Sequence, residues 1–225
     1  MRVTLVSCSQ VPLNSICTAI AIMKEKDPLD YTEGLREKEK QNMVREILKS
    51  RLRGALEFAS FEFLIEGVTR AFTHQLVRHR TFHFSQQSMR FFNAKESEFR
   101  MPKVDEFSQA TIDSTVATIR ESYVQLINHG CPTEDARSIL PTNITTSIMF
   151  GTTLRGLIDL AEVRMCLQTQ DEFREVMLAI KNEVSKEDKF LSSLLVVGCT
   201  RSGICDFKSI YDRECPIQKT LKGGK

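Results

Sequence analysis

The chain of 225 residues has no tryptophan, no G-x-G-x-x-G fingerprint and no C-x-x-C pair. It also has no run of about 18 apolar residues, so no transmembrane helix is expected. Without the glycine fingerprint a Rossmann dinucleotide site is excluded. Cys199, Cys205 and Cys215 are separated by gaps of five and nine residues, with no fourth cysteine beside them. A structural zinc site wants four ligands at short spacing, so free thiols are expected and no metal is assigned. The charge is nearly balanced, 31 Lys and Arg against 29 Asp and Glu. A general nucleic-acid binder would carry a strong basic excess, so duplex binding is not expected. The seven cysteines are odd in number, and the N-terminus, MRVTLVSCSQ, lacks a signal-peptide core. Reduced thiols in a cytoplasmic protein follow as the expectation.

What is present suffices for a folded domain. Hydrophobic residues make up 41% of the chain, ample for a core. One folded domain is expected over residues 1–198, with a tail rich in Cys and Lys over 199–225 that ends in a frayed KGGK. Alternation predicts strands over 2–8 and 59–65, the second ended by Glu66-Gly67, and a β-branched, apolar run predicts another over 144–153. Apolar spacing predicts helices over 15–24, 35–52, 107–127, 154–164 and 169–184. Thr69 reads as the N-cap of a helix through Val77, and Thr133 as the cap of a short helix to Ile139 that Pro141 breaks. Residues 25–34 and 93–104 read as loops, 84–92 as extended or looped, and 191–197 as strand or helix. This irregular mixture favours an α+β fold, an antiparallel or mixed sheet flanked by helices with a smaller helical lobe, over a Rossmann sheet.

The densest chemistry lies in RHRTFHFSQQSMR. Arg78, His79 and Arg80 are followed by seven residues and then Ser88, Met89 and Arg90. Arginine's planar fork of donors suits phosphates and other oxyanions. Serine and glutamines nearby can read the polar edges of a ring. Phe82, Phe84 and Met89 are apolar and hold the segment against a core. The segment reads as a pocket for an anionic, hydrogen-bonding ligand such as a nucleotide; the alternative is a solvated basic loop.

The spacing RHR-x7-S resembles the signature of the flavin-dependent thymidylate synthases. Around it, Gly67, Arg70 and Gln75 are similar to that family's lead-in. Arg137 with Leu140-Pro141 and Asn143, then Arg155, then Leu160 to Arg164, then Gln170 and Glu172, resemble its second half. The resemblance implies reductive methylation of dUMP to dTMP, with FAD as cofactor and NADPH and methylenetetrahydrofolate as co-substrates. It implies a homotetramer with FAD at subunit contacts, no metal and no cysteine nucleophile. By the same resemblance dUMP would meet Gln75, Arg78, Gln86, Gln87, Ser88, Met89, Arg90, Arg137 and Arg164. FAD would meet Gly54, Arg78, His79, Arg80, Gln86, Thr153, Arg155 and Asp159. Arg164 would stabilise a uracil ionised at N3, and Ser88 would hydrogen-bond dUMP without attacking it, since no nucleophile elbow surrounds it. Read without the resemblance, Arg164 is a helix-terminal arginine offsetting the dipole, worth about 0.3–1 kcal/mol.

The chain departs from the family pattern on the flavin side. Phe58 and Leu52 stand where histidines are usual, and Gly54 where a small hydroxyl residue is usual. Gln86 replaces a common acid, and Thr153 and Asp159 replace paired asparagines. Two other readings of the scaffold therefore stand beside the enzyme. One is a nucleotide- or RNA-binding protein altered in catalysis, the other a sister enzyme passing a different one-carbon group to a pyrimidine.

Overall fold

A computed structural model describes residues 1–205 and 215–217. The expected fraying of KGGK, and most of the Cys- and Lys-rich tail, lie outside the described residues. The described elements run β1 (Arg2–Cys8), α1 (Pro12–Ala21), α2 (Pro28–Gly34), α3 (Glu37–Lys49), a 3-10 turn (Arg53–Phe58), β2 (Ser60–Thr69) and α4 (Arg70–Leu76). They continue with β3 (His83–Gln86), a 3-10 turn (Ala94–Glu96), α5 (Glu106–Asn128), α6 (Thr133–Ala136), a 3-10 turn (Arg137–Ile139) and β4 (Thr145–Thr153). The rest are α7 (Leu154–Arg164), α8 (Asp171–Glu187), α9 (Lys189–Ser193) and α10 (Gly198–Ser202). This is the expected α+β class. No helix among the described residues is long and apolar enough to cross a membrane.

The sheet has four strands in the order β1-β2-β4-β3. Its pairing is antiparallel: the Arg70 amide donates to the Ile144 carbonyl at one end of β2 and β4, and the Leu154 amide to the Ala59 carbonyl at the other. Period-two burial explains why these segments are strands. Phe61, Phe63 and Ile65 of β2 are buried while their neighbours are more exposed, and Ile148 and Phe150 repeat the pattern on β4.

Several local expectations need correction. Residues 28–34 form α2 and are not a loop, because Pro28 sits at the helix start, where a missing amide costs nothing. β2 does not stop at Gly67. That glycine has φ +69°, and a Cβ there would come 3.3 Å from the Met1 nitrogen, so it lets the strand continue past a close backbone approach. Thr133 does not cap α6; its hydroxyl donates to the Arg90 carbonyl, and Pro132 occupies the cap position. The connection over 93–104 is partly anchored: Ala94 and Ser97 are buried, and Phe99 bridges to Ile144. Within the stretch left open at 191–197, Leu191 to Ser193 belong to α9, which Asp188 caps through the Phe190 and Leu191 amides.

The backbone divides into two compact units. Unit 1 comprises Met1–Arg2 and Leu64–Phe150. Its satellite core of Ala94, Tyr123, Ala136 and Ile144 takes Met89, Ile139 and Leu140 against it. Unit 2 comprises Val3–Phe63 and the chain from Gly151 onward. There α8 buries Phe173, Val176, Met177, Ile180 and Val184 on one stripe, and α7 buries Leu154, Leu157, Ile158 and Ala161.

Candidate active site

Unit 1 carries the RHR segment. The Thr69 hydroxyl accepts from the Phe72 amide at 3.0 Å and starts α4. The helix ends at Leu76, so Arg78 and His79 lie in the turn after it, their amides donating to the Gln75 and Leu76 carbonyls at 3.4 and 3.2 Å. Gln75 and Arg78 therefore do not share a helix face. The Gln75 side-chain amide turns back to the Ala71 carbonyl at 3.5 Å. Arg78 and Arg80 are exposed. The His79 ring is half-buried and stacks on Phe82 at 5.3 Å, and Phe82 stacks on Phe150 at 5.9 Å. An aromatic column thus fixes the imidazole where the flanking arginines stay in solvent.

β3 and the turn after it bring the polar ring-reading residues. The Gln86 side-chain amide donates to the buried Thr73 hydroxyl at 2.9 Å, which sets its orientation. The Gln87 amide donates to the Ser147 carbonyl at 3.0 Å. Ser88 lies in a turn: its hydroxyl accepts from the Arg90 amide at 3.3 Å, and its carbonyl accepts from Phe91 and Phe92. That is not a strand-to-helix elbow.

Three arginines converge around this turn. Arg90 Nε donates to Glu134 Oε2 at 2.8 Å, and Arg137 Nε donates to the Glu134 carbonyl at 3.1 Å. Arg70 Nη2 donates to the Gln87 carbonyl at 2.7 Å. Burial, and then the charge of Arg137, pull the Arg70 guanidinium below its ordinary pKa. Arg70 Nε is buried without a hydrogen-bond partner. Holding two like charges together with a buried donor unspent is unfavourable, unless an anion completes the arrangement. The cradle suits a phosphate.

Unit 2 carries a second group. Gly54, in the 3-10 turn, is exposed, and a Cβ there would meet nothing within 4 Å. The Thr153 hydroxyl caps α7, accepting from the Gly156 amide at 3.3 Å. Arg155 Nη1 donates to Glu57 Oε1 at 2.7 Å, and Asp159 lies 4.0 Å from Arg155. An open glycine in the 3-10 turn and a guanidinium in the first turn of α7 are the kinds of group that suit the phosphates of a dinucleotide cofactor. At the other end of α7, the Arg164 guanidinium is half-buried, 4.7 Å from the centre of the buried Phe173 ring. This cation–π contact holds the fork in a partly desolvated place.

All seven cysteines are unbridged. Burial, and then the neighbouring thiols of Cys205, Cys166 and Cys215, push the Cys199 thiol up. Among the described residues no group of three or more His, Cys, Asp or Glu could hold a metal ion.

The family model described as thymidylate synthase complementing protein matches residues 4–188. A flavin-dependent thymidylate synthase of Pyrococcus furiosus is 32% identical over 235 residues, covering 99% of this chain and 96% of the relative. The chain belongs to the flavin-dependent thymidylate synthase family. A second member of that family, from Nitratidesulfovibrio vulgaris, is 34% identical over 184 residues, 75% of this chain and 74% of its own. The crystal structure of a flavin-dependent thymidylate synthase from Helicobacter pylori, complexed with FAD and dUMP, shares the fold. Its TM-score is 0.73 at 19% identity, over 87% of this chain and 100% of that one.

Every residue of both groups falls inside the span that matches the flavin-dependent thymidylate synthase family model. Arg70 is family-like in the sequence but carries no role there, and nothing in the motif spacing marks Arg53, Glu57 or Glu162 as site residues. Arg70 follows a capping threonine, where a cation reads as helix surface. Its partner, Arg137, is far away in the chain, so spacing could not pair them.

Proposed function

We propose that the chain catalyses reductive methylation of dUMP to dTMP, on a catalytic domain of residues 1–198, with methylenetetrahydrofolate and NADPH as co-substrates. The observation that supports this most directly is the arginine cradle of unit 1, where the half-buried Arg70 donates to the Gln87 carbonyl at 2.7 Å, feels the charge of Arg137 and keeps a buried donor unspent. A nucleotide monophosphate offers the dianion that relieves this repulsion.

In this reading Arg70 and Arg137 neutralise the phosphate. Arg78, Arg90, Met89 and the backbone at Gln87 line the phosphate and sugar. Gln75, Gln86 and Ser88 hydrogen-bond the nucleotide. Arg164 stabilises the ring as its negative charge grows, and a guanidinium does this without giving up its proton. Its place against Phe173 reduces solvent screening, so its charge acts more strongly than it would in water. Ser88 positions and does not attack, and no cysteine is needed. Gly54, Arg78, His79, Arg80, Gln86, Thr153, Arg155 and Asp159 would hold FAD, which when bound supplies the hydride chemistry. A cytoplasmic homotetramer with FAD at subunit contacts completes the reading. Membership of an enzyme family leaves the altered binding protein and the sister transferase unfavoured.

Tritium release from C5-labelled dUMP, with FAD, NADPH and methylenetetrahydrofolate present, tests the reading. Wild type should release tritium and form dTMP, and Ser88→Ala should retain dTMP formation. Arg70→Ala and Arg137→Ala should raise the apparent dUMP constant roughly 10- to 100-fold, because hydrogen bonds to charged groups are worth about 1.5–3 kcal/mol. No release by the folded, flavin-loaded wild type would sink the reading.

A further inference from the structure

Unit 2 holds a string of alternating charges from the 3-10 turn through α7 to α10. Arg155 Nη1 donates to Glu57 Oε1 at 2.7 Å, and Arg155 Nε lies 4.0 Å from Asp159 Oδ2. The other Asp159 oxygen lies 4.0 Å from Arg53 Nη1, which is 3.7 Å from Glu162 Oε1. Arg201 Nε lies 3.1 Å from the same Glu162 oxygen. Three carboxylates alternate with three guanidiniums.

Asp159 is the loosely held member. Its side chain is 56% exposed, and both of these cations stand at 4.0 Å, beyond hydrogen-bonding distance. Arg53 is better fixed. It is 27% exposed, and its Nε donates to the Ser50 carbonyl at 3.4 Å, at the C-cap of α3, where a cation is favoured by the helix dipole. Gly54 follows Arg53 directly and leaves open space above the backbone. Asp159 is one of the residues that would meet the cofactor in the flavin reading, and an exposed carboxylate there would repel an anionic cofactor unless its charge is offset.

The geometry points to Arg53 as a positioning residue for the anionic cofactor, one that is held at the end of α3 and offsets the charge of Asp159. The inference rests on the flavin reading above and adds a residue that reading does not use. Arg53 acts through Asp159, so its effect is conditional: with the carboxylate gone, the arginine loses most of its importance. Arg155 offsets the same charge from the other side but is held by Glu57 at 2.7 Å, whereas Glu162, 3.7 Å from Arg53, is met more closely by Arg201 at 3.1 Å and leaves Arg53 the freer cation.

The test is titration of the full-length apoprotein with FAD, followed by flavin fluorescence, with dUMP binding and the melting temperature measured in parallel. Arg53→Ala should weaken FAD binding about tenfold and leave dUMP binding within about twofold. Arg53→Lys should keep most of the affinity, since charge is what matters. Asp159→Asn keeps a hydrogen-bonding side chain at this flavin contact and removes the repulsion, so it should bind FAD more tightly than wild type. In the Asp159→Asn background, Arg53→Ala should change FAD affinity by less than about twofold. If Arg53→Ala binds FAD as wild type does, the inference is wrong. It is equally wrong if Asp159→Asn gives no rescue while the melting temperature falls, because Arg53 would then be a structural brace. A wild type that binds dUMP but takes up no FAD would overturn the flavin reading itself, and this inference with it.

Discussion

Arg164 is where a single side chain separates binding from chemistry. A helix-terminal arginine that merely offsets a dipole contributes about 0.3–1 kcal/mol of stability and nothing to turnover. An arginine facing a ring that gains charge contributes most as the reaction advances. Arg164→Ala is therefore expected to lower kcat on the order of 10²-fold or more while dUMP binding weakens far less. Arg164→Lys should recover little, since a point charge does not reproduce the planar fork over Phe173. Steady-state rates set beside equilibrium dUMP binding check this, and near-normal turnover in the alanine variant would place the role elsewhere. Much of the site at this scale was legible in the chain. RHR-x7-S is a local pattern, and Arg137, Arg155 and Arg164 follow it in order. What stayed hidden was pairing across the chain: Arg70 with Arg137, Glu57 with Arg155, Arg53 with Asp159 and Glu162. A charged residue on a helix or turn reads as solvated surface until the fold supplies its neighbour.

The elements were legible where burial has a period and obscure where one residue type serves two purposes. β1, β4, α5, α7 and α8 alternate or repeat strongly enough to be read within a few residues. α2 was missed because Pro28 opens a helix as readily as it marks a loop, and β2 was cut short because Gly67 permits a positive φ inside a strand as well as after one. Thr69 was read correctly, since a hydroxyl before a helical repeat has one common use. It also places the motif, because α4 is short and Arg78 to Arg80 follow its end. Thr69→Ala should lower stability by about 1 kcal/mol, the usual size of a lost N-cap. For a chain of this length that is a fall in melting temperature of about 2–4 °C. Thr69→Ser should restore it. Thermal melts of the three proteins under one condition decide the matter, and an unchanged melt in Thr69→Ala would mean that α4 does not depend on its cap.

On the scale of the whole molecule, the candidate residues for nucleotide and flavin are spread over both compact units, with the cradle in unit 1 and the α7 group in unit 2. A ligand that binds the folded chain and not the unfolded one stabilises it by mass action, by about 2.7 kcal/mol at a hundredfold excess over Kd. With about 2–4 °C per kcal/mol in a chain of this size, saturating dUMP or FAD should each raise the melting temperature by roughly 5–11 °C. The two shifts should separate by mutation. Arg137→Ala removes a phosphate ligand, so at the same dUMP concentration it should cut the dUMP shift by about half or more and leave the FAD shift in place. The measurement is a set of melts of the ligand-free protein with neither ligand, each alone and both together, for wild type and Arg137→Ala. Dependence of each shift on ligand concentration marks it as binding, because a linked equilibrium moves logarithmically with the ligand. If dUMP shifts Arg137→Ala as far as wild type, the cradle is not the phosphate site, whatever the FAD shift does. If neither ligand moves the wild-type transition at any concentration, the paired arginines of unit 1 and the open glycine of unit 2 serve some other anion.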